Sequence, residues 1–522
     1  MNEAVDLALT RDLLESIADE MAAVCMHTAV SPNIKDRRDL SAAVFDGHGA
    51  MVAHAAHIPV HLGAMPLSVR AVLADLRLRP GDVALLNDPF RGGTHLPDIT
   101  AVQGVFASPT ARAPQFLVAV RAHHADVGGV EPGSMAPQKD VQAEGLRIPP
   151  LRWMRAGAVD PGVQALLLAN MRDPEERRAD LAAQAGALAL GVRRLHALAE
   201  GTRGLTALAR RGRALVDYAT RIATSALGAL PDGRARVAVP LEVQTVAGGE
   251  ARIAVELVKR GSRLRVDFAG TSGPVIDSLN APEAVTRSAV YYLVRCLCPA
   301  DTPTNDGLLA HVDLRIPEGS LLAARAPAPV AGGNVETSQR VVDALWLAAA
   351  KLWPGAMPAP GAGTMSNWTF GPEPDGPTFP TYYETLPGGA GGGPDGPGHD
   401  AIQQHMTNTS STPAEVLEAH WPVRVERVAI RRRSGGAGRH PGGNGLVRAV
   451  RFLVPARVGL LMTRHVEPAP GVAGGRPGAL GRASLEHAGR RRRLAARGSV
   501  RAEPGDVLRI ETPGGGGWGR AR

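Results

Sequence analysis

Residues 40–59, LSAAVFDGHGAMVAHAAHIP, form the stretch that sets the fold. Small and apolar residues alternate on both sides of a turn at Asp46-Gly47-His48-Gly49, a pattern that predicts a β-hairpin. Further apolar runs follow that have the length of buried strands: VALLN (83–87), ITAVQGVF (99–106) and FLVAVRAHHADV (116–127). Apolar residues spaced every three or four positions predict helices over 7–29 and 64–76.

The remaining sequence changes composition several times. Residues between 160 and 230 keep a helical apolar period, and the segment from 234 onwards alternates as antiparallel strands do. We predict a mixed α/β (α+β) fold with antiparallel sheets. Its regions are an N-terminal α/β region (1–155), a helical section (156–232), an antiparallel β/α region (233–330), a Gly/Pro-rich region (331–420) and a β-rich C-terminal region (421–522).

Two glycine-rich segments leave alternatives open. Residues 386–399, LPGGAGGGPDGPGH, are either a functional loop held by a rigid scaffold or a low-complexity linker. Residues 512–519, TPGGGGWG, form either an anion-binding nest or a flexible or tightly turned tail.

Composition excludes several classes of protein. With 44% hydrophobic residues in 522, the chain is not disordered as a whole. There is no apolar run of membrane-spanning length and no signal-peptide pattern, so we expect no membrane association. Three cysteines cannot form a disulfide framework, which favours a cytoplasmic location. A net charge of +8 with only 4% aromatic residues indicates a solvated basic surface and no nucleic-acid partner.

Histidine and aspartate residues concentrate between positions 39 and 126. His95 and Asp98 flank Pro97, which breaks strand pairing and lets both side chains converge from a turn. His123 and His124 must point to opposite faces if they lie in a strand. Imidazole and carboxylate ligands suit Zn, Mn or Fe. Spacing alone also permits satisfied core histidines and turn aspartates.

Other site types have weaker support in the sequence. His54, His57 and His61 surround Pro59 and either line the same cleft or are core residues. The sequence contains no P-loop, no GxSxG nucleophile motif and no CxxC pair. Cys296 and Cys298 are interpreted as two buried thiols.

A set of long motifs, in order along the chain, resembles the hydantoinase B/5-oxoprolinase family. This family includes the B-type subunit of ATP-dependent N-methylhydantoinase and is related to acetone and acetophenone carboxylase subunits. The motifs are SPNIKDRRDLSAAVFD (31–46), HIPVHLGAMP (57–66), NDPFRGGTHLPDIT (87–100), HHADVGGVEPGSM (123–135), GGNVETSQR (332–340), GTMSN (363–367), HMTNTSSTPAEVLE (405–418), SGGAGRHPGG (434–443) and TPGGGGWG (512–519).

The resemblance implies a function shared between two subunits. A hydantoinase A-type ATPase partner would use ATP to phosphorylate a cyclic amide, and the B-type chain would hydrolyse the intermediate at a divalent or transition metal site. The chain is then expected to act within a hetero-oligomer. Two alternatives remain open: a subunit of an acetone- or acetophenone-type carboxylase, and a non-catalytic scaffold subunit.

The resemblance also implies roles for particular residues. The implied metal ligands are Asp39, His95, Asp98 and His123, with Asp46 as the alternative to Asp39 and His124 as the alternative to His123. The implied catalytic residues are His124 and Asp126, the latter orienting an imidazole. The implied substrate-binding residues, each of which could instead be a buried structural group, are Asn334, Glu336, Thr337, Gln339, His405 and Asn408.

Overall fold

A computed structural model describes residues 3–55 and 57–521, so residues 1–2 and 56 of the predicted region 1–155 and residue 522 of the predicted region 421–522 lie outside it. The described helices are α1 (Glu3–Thr28), α2 (Pro32–Lys35), α3 (Ala64–Asp75), α4 (Val141–Glu144), α5 (Pro161–Ala169), α6 (Pro174–Glu200), α7 (Leu205–Ala229), α8 (Glu283–Leu297), α9 (Ser338–Leu352) and α10 (Ala414–His420). The strands of the first half are β1 (Leu40–Asp46), β2 (Met51–His54), β3 (Val83–Leu86), β4 (Asp98–Val105), β5 (Phe116–His123), β6 (Leu151–Arg155), β7 (Ala158–Val159), β8 (Gly233–Gln244), β9 (Glu250–Arg260) and β10 (Arg263–Asp267). Those of the second half are β11 (Val312–Arg315), β12 (Asn367–Pro372), β13 (Tyr382–Glu384), β14 (Val423–Arg431), β15 (Gly445–Phe452), β16 (Ala456–Leu461), β17 (Arg482–His487), β18 (Arg490–Arg493), β19 (Arg497–Ala502) and β20 (Val507–Glu511).

The N-terminal sheet is antiparallel, with strand order β2-β1-β5-β4-β3-β6-β7. Its central strands are buried on both faces because successive side chains enter different cores. In β1, Ala42 and Val44 pack into a core with α1, α6 and α7, whereas Ala43 and Phe45 pack into a core that contains residues of α3, α8 and α9. This double burial explains why the strands are apolar runs and do not alternate cleanly.

A second sheet, with order β11-β10-β9-β8, shares the core of α8 and α9. Its strand pairs are antiparallel except for β10 and β11, which run parallel. The α+β fold class predicted from the sequence is therefore confirmed.

Two further sheets contain the C-terminal strands. One has the order β13-β12-β16-β19 and the other β14-β15-β20-β17-β18. A third hydrophobic core, which includes Trp368, Phe452 and Ile510, draws residues from both sheets. The first of these sheets joins strands of the predicted 331–420 region to strands of the predicted 421–522 region.

The glycine-rich segments pack against one another as extended chains. Gly443 N donates to Ala390 O at 2.7 Å, and Gly515 N donates to Gly443 O at 3.0 Å. A Cβ on Gly515 would overlap Ala390 O, so the backbones approach too closely for any side chain. The linker interpretation of 386–399 and the flexible-tail interpretation of 512–519 are both wrong, because residues 386–392 and 512–519 pack closely against other backbone segments, although residues 395, 397 and 399 are exposed.

None of the described helices combines the length with the apolar composition that a membrane crossing requires.

Candidate functional site

Three neighbouring strands of the N-terminal sheet, β1, β5 and β4, bring the predicted ligands together at one end of these strands. Asp98 begins β4 and His123 ends β5, and the antiparallel register pairs these two residues directly. Asp39 immediately precedes β1, the other neighbour of β5, and its carbonyl accepts a hydrogen bond from His123 N at 3.0 Å. Residues far apart in sequence are therefore adjacent because of strand order.

His95 joins this group from the turn before β4. Its Nε2 lies 3.3 Å from Asp98 Oδ1, and its ring centroid is 5.0 Å from that of His123 with the planes inclined by 64°. All four side chains are buried, with exposed fractions of 6% for Asp39, 0% for His95, 1% for Asp98 and 2% for His123. We call Asp39, His95, Asp98 and His123 the N-terminal cluster.

Burial makes the protonation of the cluster unusual. Burial and the nearby Asp98 charge raise the pKa of Asp39 to about 7, although Arg37 and His95 act in the opposite direction. Burial would also raise the pKa of Asp98, but His95 and His61 outweigh it and hold that pKa well below its usual range. The pKa of His123 is lowered, mainly by burial. Two buried carboxyl groups beside the His123 imidazole, whose pKa is lowered, form an environment that a cation would stabilise.

The imidazole and carboxylate groups of the N-terminal cluster are ligands that suit a divalent metal ion, although they do not converge on one point. Within residues 3–55 and 57–521, no group of three or more His, Cys, Asp or Glu side chains has the geometry of a formed metal site. In the same residues, Asp98 Oδ1 and His123 Nε2 are buried atoms that have no hydrogen-bond partner. Such orphaned atoms are costly unless a ligand satisfies them.

Asn334 extends the cluster from the C-terminal half of the chain. Residues 333–337 form a π-helical turn before α9, a feature often found at functional sites. Glu144 fixes the preceding turn by accepting hydrogen bonds from Val330 N and Ala331 N, both at 2.9 Å. As a result, Asn334 Nδ2 lies 3.0 Å from His95 Nε2.

Glu336 is connected to the cluster indirectly, through hydrogen bonds to Asn367 and then to Tyr383. It accepts hydrogen bonds from Asn367 Nδ2 at 3.0 Å and Thr463 Oγ1 at 2.7 Å, and burial raises its pKa to about 7. Asn367 Oδ1 in turn accepts a hydrogen bond from Tyr383 OH at 2.9 Å. The Tyr383 ring stacks on His123.

The other predicted substrate-binding residues have different surroundings. Thr337 donates to Leu279 O, and Gln339 Nε2 donates to Gln404 O at 2.9 Å. His405 contacts the aromatic rings of Tyr292 and Trp346. Asn408 is exposed.

The structure does not bring His124, Asp126 and Asp46 into the N-terminal cluster. His124 Nε2 lies 3.1 Å from Gln184 Oε1 of α6, on the other face of the sheet. Asp126 accepts hydrogen bonds from Gly128 N and Gly133 N and forms an ion pair with Arg172. Asp46 accepts from His48 N and Ala50 N within the hairpin turn. Asp39 and His123 are therefore the members of each alternative pair that lie in the cluster.

Several side chains around the cluster were not assigned from the sequence. Asn33 Nδ2 lies 3.2 Å from His123 Nδ1, Thr94 Oγ1 donates to Asp98 Oδ2, and Arg37 lies 4.8 Å from the centre of the Tyr383 ring. His61, left open between cleft and core, contacts Asp98 Oδ2 at 3.3 Å. The sequence signal for these residues is proximity to the predicted ligands along the chain: Asn33 and Arg37 lie near Asp39, and Thr94 directly precedes His95.

A profile of the family described as hydantoinase B/oxoprolinase matches residues 3–521. The chain belongs to this family. It is 38% identical to 5-oxoprolinase 1 of Arabidopsis thaliana over 99% of its own length, and it spans 42% of that relative. The chain thus covers less than half of the relative's length.

Solved structures of related proteins share the fold of this family member. It is similar to an ATP-dependent caprolactamase from Pseudomonas jessenii, with a TM-score of 0.90, 26% identity and coverage of 99% of this chain and 91% of that one. It is also similar to an acetone carboxylase, with a TM-score of 0.87, 16% identity and coverage of 99% and 76%. The second likeness concerns the fold alone.

Proposed function

We propose that this chain is the B-type part of an ATP-dependent cyclic amide hydrolase and hydrolyses a phosphorylated lactam at the N-terminal cluster. Its partner would be a hydantoinase A-type ATPase, in a hetero-oligomer. The substrate class is a 5-oxoproline-, hydantoin- or caprolactam-like ring, and the N-methylhydantoinase type is one member of this range. The observation that carries the proposal is the buried convergence of two imidazoles and two carboxyl groups beside Asn334.

The division of labour follows from amide chemistry. A lactam carbonyl is a poor electrophile because resonance delocalises its electrons, and phosphorylation of its oxygen provides a good leaving group. The family resemblance implies an A-type ATPase, and we propose that the ATP-dependent step belongs to that partner. The names of the A. thaliana and P. jessenii relatives support cyclic amide hydrolysis as the class of reaction.

Asp39, His95, Asp98 and His123 would hold the metal ion. When bound, a divalent metal supplies a nucleophile by lowering the pKa of water. The protein contributes a dry, charged environment: the four side chains are at most 6% exposed, so bulk water is excluded. Asn334 provides an amide beside His95 that can hydrogen-bond to a carbonyl or phosphoryl oxygen.

Reconstitution tests the proposal. The purified chain should show no lactam hydrolysis alone and should gain it with an A-type partner, ATP and a divalent metal, assayed with 5-oxoproline, hydantoin and caprolactam. Omitting any one component should abolish turnover. ATP-independent turnover by the chain alone would contradict the proposal.

Two outcomes of the same experiment would support the alternatives. Consumption of a ketone that depends on bicarbonate would identify a carboxylase subunit. Full activity of the complex after His95→Ala, with no metal in the wild-type chain, would identify a scaffold subunit.

A further inference from the structure

A chain of buried hydrogen-bonding groups ends on the Asp98 carboxylate. Ser41 Oγ lies 2.9 Å from His61 Nδ1, and His61 Nε2 lies 3.3 Å from Asp98 Oδ2. Each of these side chains is at most 1% exposed. The positions of the protons are therefore decided by these groups and not by bulk water.

The proton on His61 can be placed from its two neighbours. The backbone amide of Ile58 donates to Ser41 Oγ at 3.3 Å, and the Ser41 hydroxyl can donate its own proton to His61 Nδ1, since His61 Nε2 faces a carboxylate that can only accept. A neutral imidazole that accepts at Nδ1 carries its proton on Nε2, the nitrogen that faces Asp98. The opposite tautomer would set a nitrogen lone pair against a carboxylate oxygen, and two acceptors repel each other.

The two oxygens of Asp98 are consequently used differently. Oδ2 accepts from the Thr94 hydroxyl and from His61. Oδ1 lies 3.3 Å from His95 Nε2 but accepts no hydrogen bond from any residue that the structure describes. One oxygen is held by the protein, and the other remains available inside the cluster.

We infer that Ser41 and His61 form a relay that fixes the Nε2–H tautomer of His61 and holds Asp98 with Oδ1 available to a cation. The inference rests on the proposed function for the presence of that cation. His61 is a positioning residue, because it acts on the site through Asp98. Ser41 is not a nucleophile in this arrangement, since its side chain is fully buried and out of reach of a substrate.

Mn²⁺ titration of the full-length chain tests the relay. His61→Phe removes both ring nitrogens at similar volume, whereas His61→Gln retains an N–H donor near the position of Nε2. We expect His61→Phe to weaken Mn²⁺ affinity about 10- to 100-fold and His61→Gln to restore most of it. Ser41→Ala should weaken affinity less than His61→Phe, because the Nε2–H tautomer remains accessible.

His54 provides the matched control. It is also a buried histidine, 7% exposed, and lies on β2. His54→Phe should leave Mn²⁺ affinity unchanged. Equal affinity in His61→Phe and wild type, or an equal loss in His61→Phe and His61→Gln, would overturn the positioning role.

The tautomer can be measured without a metal. In the metal-free chain with ¹⁵N-labelled histidine, a correlation spectrum of the ring nitrogens should show His61 protonated at Nε2 and not at Nδ1. The His61→Gln spectrum identifies its signals, and Ser41→Ala should admit the other tautomer. An Nδ1–H tautomer in the wild-type chain would overturn the relay, whereas absence of Mn²⁺ binding by the wild-type chain would overturn the proposed function.

Discussion

The phenol ring of Tyr383 lies flat against the imidazole of His123, with ring centroids 4.4 Å apart and planes inclined by 6°. Tyr383 belongs to β13 in a C-terminal sheet, whereas His123 ends β5 in the N-terminal sheet. Arg37 approaches the same phenol ring and also donates to Tyr383 O. The orientation of His123 therefore depends on packing between separate sheets.

Substitutions of Tyr383 should separate stacking from hydrogen bonding. Tyr383→Phe keeps the ring and loses the hydrogen bond to Asn367, which should cost about 1 kcal/mol of unfolding free energy with little change in metal affinity. Tyr383→Ala should cost about 3–5 kcal/mol and weaken metal binding, because His123 loses its packing surface. Denaturant unfolding and Mn²⁺ titration measure both effects. Equal metal affinity in the two variants would count against orientation by stacking.

Glu144 should make stability depend on pH. Burial raises its pKa from 4.5 to about 7, although Val330 N and Ala331 N oppose the shift. An acid with a raised folded-state pKa stabilises the fold most below its unfolded pKa, and that contribution is lost as pH rises through the folded pKa. Wild-type stability relative to Glu144→Gln should therefore fall by roughly 3 kcal/mol between pH 4.5 and 7 and stay constant above.

Urea unfolding of both proteins across this pH range measures the difference. Gln retains the size of the side chain and cannot titrate, so the comparison isolates the carboxyl group. Parallel stability curves for the two proteins would show that Glu144 does not titrate in this way.

The packed glycine segments should reject side chains at specific positions. A Cβ on Gly391 would overlap Ala359 O, whereas a Cβ on Gly396, five residues later, meets no described atom within 4 Å. Gly391→Ala should destabilise the protein by about 3 kcal/mol or more, and Gly396→Ala should change stability by less than about 0.5 kcal/mol. Thermal unfolding of the two variants measures this contrast. Similar melting temperatures would argue that 386–399 is a loose segment after all.

The local pattern was sufficient for much of the fold. The alternation around Asp46 and the apolar runs that follow predicted β1 to β5, and the apolar period between 160 and 230 predicted the helices that became α5, α6 and α7. These strands and helices are specified by residues close in sequence and by the spacing of their apolar side chains. The packing of 386–399 could not be predicted in the same way, because its partners are backbone groups of segments distant in sequence.

The candidate site was predictable as a set of residues but not as an arrangement. Strand alternation predicted that His123 and His124 point to opposite faces, and their contacts do lie on opposite faces although β5 ends at His123. Only the strand order β1-β5-β4 shows which of them lies beside Asp39 and Asp98. The roles of His61 and Tyr383 depend on tertiary contacts that leave no periodic signal. Fifteen residues from Ser338, SQRVVDALWLAAAKL, also form α9 within a region predicted to be dense in irregular Gly/Pro sequence.

The central claim is that the N-terminal cluster holds one cation, and metal analysis of two adjacent substitutions tests it most directly. His123 lies in the cluster, whereas His124 contacts Gln184 on the other face of the same sheet. Metal quantification after loading with Mn²⁺ or Zn²⁺ should find one equivalent in the wild type and in His124→Gln, and far less than one in His123→Gln. A wild-type chain without stoichiometric metal, or a His123→Gln variant that retains it, would contradict the account.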